Sequence, residues 1–429
     1  MDRLGALSSS ILRLVQRALT GERSQLSFTR CEEFHPPRLS QAGIYVHVPY
    51  CRSLCPYCPY LRFPYRPAGA NEFTAALLGE IDWYAGQLPT TRTGSVYFGG
   101  GTPTVLGQRL GLIVEAIRNR FDPQGPWCIE TNPADLDASR IALLKALRFD
   151  SVSLGVQSFD DRTLRQLGRG HGADDARRAL ACLADAGIPS LNVDLMFAVP
   201  GQAESSWQQD IELAIASPAT QVTAYPLFTF PYSEVGERRR LDGVRMPPWR
   251  ARRRMYYELH DRLVAAGFRR VSVWSFQRGE GHRFSSVTRR RYLGLGPSGA
   301  SCYGSVFTLN TFSPQAYAAS VARRGHAVAL QMPLSERLDL LMDLYWRAYD
   351  TRLDARRWRE FAASLPRLRY LLAAARQLGW CEEDHGQLSL TRRGSFWVHL
   401  LQNHAVLPGV SRLWSAGKRD PWPAAVALQ

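Results

Sequence analysis

The sequence contains almost no lysine and no long hydrophobic run. Lys145 and Lys418 are the only lysines among 429 residues, although the formal net charge is +15. Nearly all of the positive charge is therefore arginine, which is more typical of a GC-rich genome than of a nucleic-acid-binding face. No run of about 18 apolar residues is present, so the sequence predicts no membrane span. We expect neither a nucleic-acid partner nor a membrane-spanning helix.

The arginines crowd into two segments. One comprises positions 238–240, 250 and 252–254, and the other comprises 289–291. They are interpreted either as solvated helix faces and loops, or as a rim that attracts an anionic substrate or partner.

The sequence also lacks the evenly spaced cysteines of a disulfide-stapled protein. It has eight cysteines, and three of them (Cys51, Cys55 and Cys58) lie within eight positions. Disulfide frameworks are typical of short secreted chains, so we expect a cytoplasmic protein with reduced thiols. The segment 4–19 is interrupted by serines and arginines and makes a poor signal peptide. Its apolar spacing favours an amphipathic helix within an N-terminal helical extension at 1–40.

Short apolar runs alternate with helix-period stretches through the first half of the chain. The predicted strands are 43–48, 94–98, 127–131, 150–156, 190–197 and 220–225. The predicted helices are 71–87, 105–120, 136–147, 161–186 and 204–216. Six such units predict an α/β fold with a parallel sheet, as a partial (β/α)6 barrel whose ligands lie at the C-terminal strand ends.

The repeat fades after about residue 240. A helix at 249–266, a strand at 268–275 and a glycine-rich turn at 294–304 complete the predicted barrel domain, 41–330. A smaller, mostly helical C-terminal domain is predicted at 331–429. It contains a hairpin around 384–386 and a final helix near 392–403.

The cysteine triplet directly follows the first strand of the repeat. Its C-x3-C-x2-C spacing places three thiols on one loop at the ligand-binding end of the sheet. Three thiolates can bind three irons of a four-iron cube and leave the fourth iron open to a chelating cofactor. Structural zinc is the main alternative, with His47 as a fourth ligand. A redox or disulfide role is the remaining one.

Other unusual residues lie at the ends of the following strands. Three consecutive glycines, 99–101, end the second strand, where backbone can approach a ligand closely or make a tight turn. Glu130, Gln157 and Asp194 end or interrupt the next three strands, and Arg169 follows. Each taken alone is equally consistent with a capped helix or a satisfied polar residue. Together they suit ribose hydroxyls, amino groups and a carboxylate.

The sequence resembles the oxygen-independent coproporphyrinogen III oxidase family of radical SAM enzymes. The motifs that carry the resemblance run in family order from about 43 to 304, and they are YVHVPYCRSLCPYC, YFGGGTPT, IETNP, SLGVQSFDDRTLRQLGRGH, NVDLMFAVPGQ and YLGLGPSGAS. The C-terminal LTRRG also looks similar. The resemblance covers most of the chain and implies a radical SAM barrel.

The resemblance also implies a role for each matching position. Cys51, Cys55 and Cys58 would bind a [4Fe–4S] cluster. Tyr45, Gly100, Glu130 and Ala300 match positions that hold the S-adenosylmethionine (SAM) bound to that cluster. Tyr57, Gly101, Thr102, Gln157, Arg169 and Asp194 match positions of a second SAM, or of a substrate in its place. The implied chemistry is reductive SAM cleavage and hydrogen abstraction from a small-molecule substrate, with a reductant such as flavodoxin or ferredoxin.

The departures from the family pattern separate three hypotheses. The oxidase has a fourth cysteine where this sequence has Tyr60, and the haem-chaperone relatives have a His-Asn-x-x-Tyr-Trp signature that 282–294 lacks. The first hypothesis is therefore two-SAM C-methylation or cyclopropanation. It follows from the likeness to the branch of this family that keeps three cysteines and uses two SAM molecules. The second is oxidase-type decarboxylation of a porphyrinogen. The third is a non-enzymatic haem chaperone, with His47, His282, His399 or His404 as axial ligands.

Overall fold

A computed structural model describes residues 26–230, 232–236, 245–283, 290–384 and 386–428. The predicted helix at 4–19 lies outside these residues, as do the arginines at 238–240 and 289. None of the helices in the described part combines the length and the apolar character that a membrane crossing needs.

The first half of the chain alternates between strands and helices. The strands are β1 (Ser27–Arg30), β2 (Gln41–Val48), β3 (Tyr50–Cys51), β4 (Phe63–Pro64), β5 (Arg92–Gly100), β6 (Trp127–Thr131), β7 (Ser151–Gln157), β8 (Ser190–Phe197) and β9 (Gln221–Pro226). The helices are α1 (Pro67–Gln87), α2 (Arg109–Phe121), α3 (Ala138–Ala146), α4 (Asp161–Gln166), α5 (Ala173–Asp185) and α6 (Glu204–Ala216). Short 3₁₀ turns at Pro103–Leu106 and Pro133–Asp135 follow β5 and β6.

Six of these strands form the predicted parallel sheet, in the order β2-β5-β6-β7-β8-β9. Each observed strand lies within two residues of its prediction at either end. The sheet is open, since the strand order runs without closure from one edge to the other in the described residues. The α/β fold with a partial barrel is thereby confirmed.

The predicted helix at 161–186 is wrong as a single element. It is two helices, α4 and α5, separated at 167–172. Gly168 takes a φ of +65° in this break, and Gly172 caps α5 with an extended backbone. Left-handed backbone ends a helix, and glycine adopts it without steric cost. The break turns Arg169 inward.

The two faces of the parallel sheet differ in chemistry. Outward residues such as Val96, Phe98, Ile129 and Val152 are buried against α1, α2 and α3 in one apolar core. Inward residues at matching register are polar, and among them Glu130 lies opposite Ser153. Helices therefore cover one face, and the other encloses a polar lumen.

The chain then extends the same sheet. The elements are α7 (Trp249–Ala265), β10 (Arg269–Arg270), β11 (Ser275–Gln277), β12 (Tyr292–Leu295), β13 (Ala300–Cys302), β14 (Val306–Asn310), α8 (Pro314–Arg324) and β15 (Val328–Pro333). β12 pairs with β2 in parallel, and β13, β14 and β15 follow as antiparallel neighbours. The predicted strand at 268–275 is wrong: β10 and β11 pair antiparallel across a turn that buries Val273 and Trp274 in the core.

The C-terminal region is mostly helical, as predicted. It contains α9 (Glu336–Tyr349), β16 (Arg352–Asp354), α10 (Ala355–Ser364), α11 (Leu368–Gln377), β17 (Cys381–Asp384), β18 (Gln387–Leu390), α12 (Arg392–Arg419) and β19 (Ala425–Ala427). The predicted hairpin is β17 and β18, and the final helix extends well beyond 403 through Pro408. β19 returns to the large sheet and pairs with β1. The domain boundaries at 40 and 330 remain predictions.

Candidate active site

The three clustered cysteines lie on a loop at the C-terminal end of β2. β3 and β4 pair at the two ends of this loop, where Tyr65 N donates to Cys51 O at 2.8 Å. Inside it, Cys58 N donates to Cys55 O at 3.1 Å. All three thiols are free. The loop is therefore closed by backbone hydrogen bonds and holds its thiols in one region.

Polar side chains from neighbouring strand ends contact the thiols. Thr102 Oγ1 donates to Cys51 Sγ at 3.5 Å. Arg169 Nη1 donates to Cys55 Sγ at 3.2 Å and to the Tyr57 hydroxyl at 3.3 Å, while its Nη2 donates to Gly155 O at 2.7 Å. The structure thus places Thr102 and Arg169 against the cysteine loop, which itself contains Tyr57.

The donor set fits an iron–sulfur cluster better than zinc. His47, the proposed fourth zinc ligand, has both ring nitrogens engaged: Nε2 with Leu61 O at 2.9 Å and Nδ1 with the Tyr45 hydroxyl at 3.2 Å. Among the described residues, no three His, Cys, Asp or Glu side chains converge tightly enough to hold a single ion. A four-iron cube spaces its thiolate ligands more widely than one tetrahedral ion does. Thiolates are the ligands such clusters use.

Burial makes the Cys51 and Cys58 thiols poor anions until a metal binds. It raises the pKa of the Cys51 thiol to about 12, against a lowering hydrogen bond from Thr102. Burial also raises the pKa of the Cys58 thiol, against the charge of Arg62. Because metal ligation requires the thiolate, cluster binding must release protons from this loop.

The glycines at the C-terminal end of β5 have protein neighbours that explain them. A Cβ on Gly101 would lie 2.5 Å from Tyr50 O, and one on Gly100, whose φ is +106°, would lie 2.6 Å from the His47 ring. A Cβ on Gly99 would lie 3.1 Å from the Glu130 carboxyl carbon. The close backbone approach inferred from the sequence is therefore, in the first place, an approach of the glycines to other residues of this chain. It packs the glycine backbone against the cysteine loop and Glu130.

Glu130 faces the lumen beside these glycines. Its carboxylate accepts hydrogen bonds from the Tyr97 hydroxyl at 2.6 Å and from Gly100 N at 3.3 Å, and Tyr97 packs against Tyr45 at 5.8 Å between ring centroids. Burial raises the pKa of Glu130 to about 7, with the Tyr97 hydrogen bond lowering it and the Asp194 charge raising it. Glu130 is therefore positioned to receive a cationic group, which would lower that pKa.

Asp194 is held by a chain of polar side chains across β7, β8 and β9. Ser153 Oγ and Asn192 Nδ2 each donate to it at 2.8 Å, and Thr223 Oγ1 donates to Asn192 Oδ1 at 2.8 Å. Burial raises the pKa of Asp194 to about 6, against these hydrogen bonds and the charge of Arg169. Its carboxylate is oriented, and it remains partly accessible from the lumen.

Gln157 adopts an unusual backbone at the end of β7. Its φ is +71°, and the pairing with β8 shifts register between Gly155 and Gln157. The Tyr225 hydroxyl donates to Gln157 Oε1 at 3.1 Å. Non-glycine residues rarely adopt such a φ, and strained residues concentrate at functional sites. The Ser158 hydroxyl next to it is fastened by Asp210 at 2.8 Å.

Ala300 is linked to the site through the glycine turn that precedes it. Gly296 N in this turn donates to the buried Glu80 carboxylate at 2.8 Å. Asn310 Nδ2 and the Tyr317 hydroxyl donate to the same carboxylate at 2.8 and 2.7 Å. Glu80 thus fastens the turn beside the C-terminal end of β2. Glu80 could not be identified from the sequence, because only the fold brings it to a turn 216 positions away.

Tyr60, which departs from the oxidase pattern, lies inside the site. Half of its side chain, 51%, is exposed, although Glu130, Cys58, Tyr349 and Asp194 all act electrostatically on its hydroxyl. Tyr60 is therefore an accessible side chain among the residues that surround the cysteine loop.

Three of the four histidines considered as haem ligands, all except His47, lie outside the cysteine loop and the strand ends beside it. His282 and His404 are exposed, whereas His399 is buried with its Nε2 near Asn403 Nδ2 at 2.8 Å and its ring 4.5 Å from that of Trp274. Two arginines of the predicted rim form ion pairs within the protein. Arg290 and Arg291 both pair with the buried Asp339 at 2.7 Å. These two arginines are therefore internal ion-pair partners.

Comparison with known proteins agrees with this geometry. Residues 45–214 match the model of the Radical SAM superfamily. Among curated proteins, the haem chaperone HemW of Bacillus subtilis is 24% identical over 69% of this chain and 82% of its own length. The mitochondrial radical S-adenosyl methionine domain-containing protein 1 of Bos taurus is 28% identical over 83% of this chain and 84% of its own.

A solved structure shares the whole architecture. Coproporphyrinogen III oxidase from Escherichia coli superposes with a TM-score of 0.72 and 21% identity, over 92% of this chain and 93% of that one. At this identity the likeness concerns the fold. The matched domain and the sequence relatives agree with the family resemblance that the motifs indicated, and the solved structure adds the shared fold.

Proposed function

From the premise that this chain is a relative of the oxygen-independent coproporphyrinogen III oxidases with a radical SAM domain at 45–214, we propose that it is a SAM-cleaving enzyme. Cys51, Cys55 and Cys58 bind a [4Fe–4S] cluster, and the substrate is a tetrapyrrole whose propionate side chains are oxidatively decarboxylated. Each propionate loses a hydrogen atom to the radical derived from SAM and then carbon dioxide, and an external one-electron acceptor takes the remaining electron. The observation that carries the proposal is the group of three thiols beside an accessible polar lumen that contains Glu130 and Asp194.

The chain's own residues have separable tasks in this proposal. When bound and reduced, such a cluster supplies the electron for cleavage of SAM. Glu130 and the backbone at Gly100 receive the amino group of SAM. Arg169 and Asp194, which face the same lumen, bind a carboxylate and a hydrogen-bond donor of the second ligand. The apolar shell outside the sheet keeps this polar site enclosed.

The substrate class rests on the relatives. HemW is named as a haem chaperone, and the oxidase is named for coproporphyrinogen III. Neither name speaks for two-SAM methylation or cyclopropanation, so we place that hypothesis behind the tetrapyrrole alternatives. Whether one or two SAM molecules bind remains part of the test. A flavodoxin or ferredoxin as electron donor and a cytoplasmic setting belong to the same proposal.

A haem chaperone is the second candidate, because HemW relatives match over most of this chain. Two of the four candidate axial histidines are poorly placed for this role: His47 is engaged at both nitrogens, and His399 is enclosed by aromatic rings. His282 and His404 are exposed and are the axial-ligand candidates for such a chaperone.

The test is a product assay. After anaerobic cluster reconstitution, SAM and dithionite are added with or without coproporphyrinogen III, and 5′-deoxyadenosine, carbon dioxide and S-adenosylhomocysteine are quantified. The proposal expects deoxyadenosine formation that rises with the tetrapyrrole, together with carbon dioxide. S-adenosylhomocysteine with a methylated product would favour the alkylation hypothesis. An intact cluster with neither product, but with stoichiometric haem binding, would favour the chaperone.

A matched pair of variants makes the assay specific. Glu130→Gln removes the charge that meets the amino group of SAM and is expected to weaken SAM binding about 10- to 100-fold, since hydrogen bonds to charged groups contribute roughly 1.5–3 kcal/mol. Glu115→Gln changes an exposed carboxylate on α2 and serves as the control. Equal SAM affinity in the two variants would contradict the assigned role of Glu130.

A further inference from the structure

Arg62 contacts the cysteine loop without being a ligand. Its side chain reaches back over the loop that precedes β4. Nη1 donates to Cys58 O at 3.0 Å, and Nη2 donates to Cys55 O. One guanidinium therefore bonds the main-chain carbonyls of two predicted cluster ligands. A planar fork suits such two-point contacts, which a lysine cannot reproduce.

The charge of Arg62 is not balanced by a carboxylate. No ion pair involving Arg62 occurs in the described part of the chain, and its Nε is buried without a hydrogen-bond partner. Arg52, on the same loop, differs because it pairs with the buried Asp135 at 2.8 Å. Arg66 is exposed to solvent, where its charge is screened. Arg62 thus combines contact, partial burial and an uncompensated positive charge.

We infer that Arg62 is a positioning residue for the iron–sulfur cluster, with two effects. It fastens the loop between Cys55 and Cys58 in the shape that ligation needs, and its charge favours the reduced cluster. One-electron reduction adds a negative charge, and a nearby cation stabilises that charge strongly where water is partly excluded. Net charge and hydrogen bonding near the sulfurs are known determinants of cluster potential. The inference rests on the proposed cluster at these cysteines.

The two effects separate in two substitutions. Arg62→Gln removes both the charge and the fork, whereas Arg62→Lys keeps the charge and loses the fork. We expect Arg62→Gln to shift the midpoint potential to a more negative value and Arg62→Lys to keep it close to that of the unmodified protein. Both variants should lose iron to a chelator about tenfold faster, as expected for the loss of a charge-assisted hydrogen bond. Arg66→Gln is the matched control and should change neither quantity.

The measurements are iron and sulfide per chain, the rate of iron loss to a chelator, and a redox titration followed by the EPR signal of the reduced cluster. Thermal unfolding of all four proteins checks that each variant folds. If the unmodified protein holds no cluster after reconstitution, the proposed function itself fails. If it holds the cluster but all four proteins share one potential and one rate of iron loss, the inference about Arg62 is wrong.

Discussion

The two faces of the same parallel strands are built from different chemistry. On β7 and β8 the outward residues Val152, Leu154 and Val193 are fully buried under the helices. The inward residues between them include Ser153 and Asn192, which are equally buried yet polar and hydrogen-bonded to Asp194. When a parallel strand is buried on both faces, its sequence is usually a nearly continuous apolar run. The alternation here means that the lumen is not a second hydrophobic core.

This difference explains why the site can exist at all. A closed (β/α)8 barrel fills its interior with layers of branched apolar side chains. Here the inward positions carry small hydroxyl, amide and carboxyl groups, and Tyr45, Glu130, Asp194 and Tyr225 remain partly accessible. The outer face supplies folding energy through apolar burial. The inner face supplies hydrogen-bonding groups for ligands.

The largest expected effect is on the outer face. Phe98→Ala removes a fully buried ring that packs edge-on against Phe149 at 5.7 Å between centroids. Its loss leaves a cavity between the sheet and the helices, and should lower the free energy of unfolding by about 3–5 kcal/mol. Urea unfolding monitored by circular dichroism measures this. A loss below about 1 kcal/mol would show that the outer face is not the stabilising core.

The next effect concerns Glu80, a charged group buried on the helix side of the sheet. Burial raises its pKa to about 7, against hydrogen bonds from Gly296, Tyr317 and Asn310. Because the folded pKa exceeds the ordinary value of 4.5, its stabilising contribution is complete below pH 4.5, declines as the pH rises and is lost above about 7. The total change is roughly 3 kcal/mol, at 1.36 kcal/mol per pKa unit.

Glu80→Gln tests this expectation. The free energy of unfolding of the unmodified protein should fall between pH 5 and 8 by more than that of the variant, as measured by denaturant unfolding at each pH. Glu115→Gln, an exposed substitution on α2, should follow the unmodified protein. Parallel curves for all three proteins would remove Glu80 as the source of the dependence.

The smallest effect is expected at the base of the lumen. Ser151 is fully buried on the inner face, and its Oγ has no hydrogen-bond partner in the described structure. Removing an unsatisfied hydroxyl costs little, so Ser151→Ala should change the free energy of unfolding by less than about 1 kcal/mol. Differential scanning calorimetry can resolve this against Phe98→Ala. A loss of 2 kcal/mol or more would mean that the polar lumen is as important for folding as the outer core.

The sequence predicted the elements of the barrel well, because local pattern decides them. Short apolar runs, turn residues and helical periodicity are properties of neighbouring residues. They sufficed for six strands and for the position of the cysteine loop. The failures at 161–186 and 268–275 differ in cause: glycines at 168 and 172, a local signal, divide the first, whereas a long-range contact overrides the local pattern in the second. Arg169 turns inward to Gly155 and Cys55, and Trp274 turns into the core.

The candidate site was predicted through its motifs and missed where motifs are absent. Arg169 and Thr102, which the resemblance singled out, contact the cysteine loop, and Tyr57 lies on it. Their roles in ligand binding remain predictions. No sequence motif marks Glu80 or Arg62 as part of the site. From the sequence alone, each would be interpreted as a solvent-exposed charged residue, since one is a single glutamate in a helix and the other a single arginine in a loop. Only their burial and their partners distinguish them.

The sequence by itself determined the order of strands and helices, the thiol triplet and the family to which the motifs point, since each depends on residues close together in the chain. The tertiary structure alone decided that the inner face of the sheet is a polar lumen, that Glu80 holds a turn more than 200 positions away, and that Arg62 bonds the cysteine carbonyls. The physical reason is that burial and hydrogen-bond partnership between distant residues are properties of the fold, and composition and spacing do not encode them.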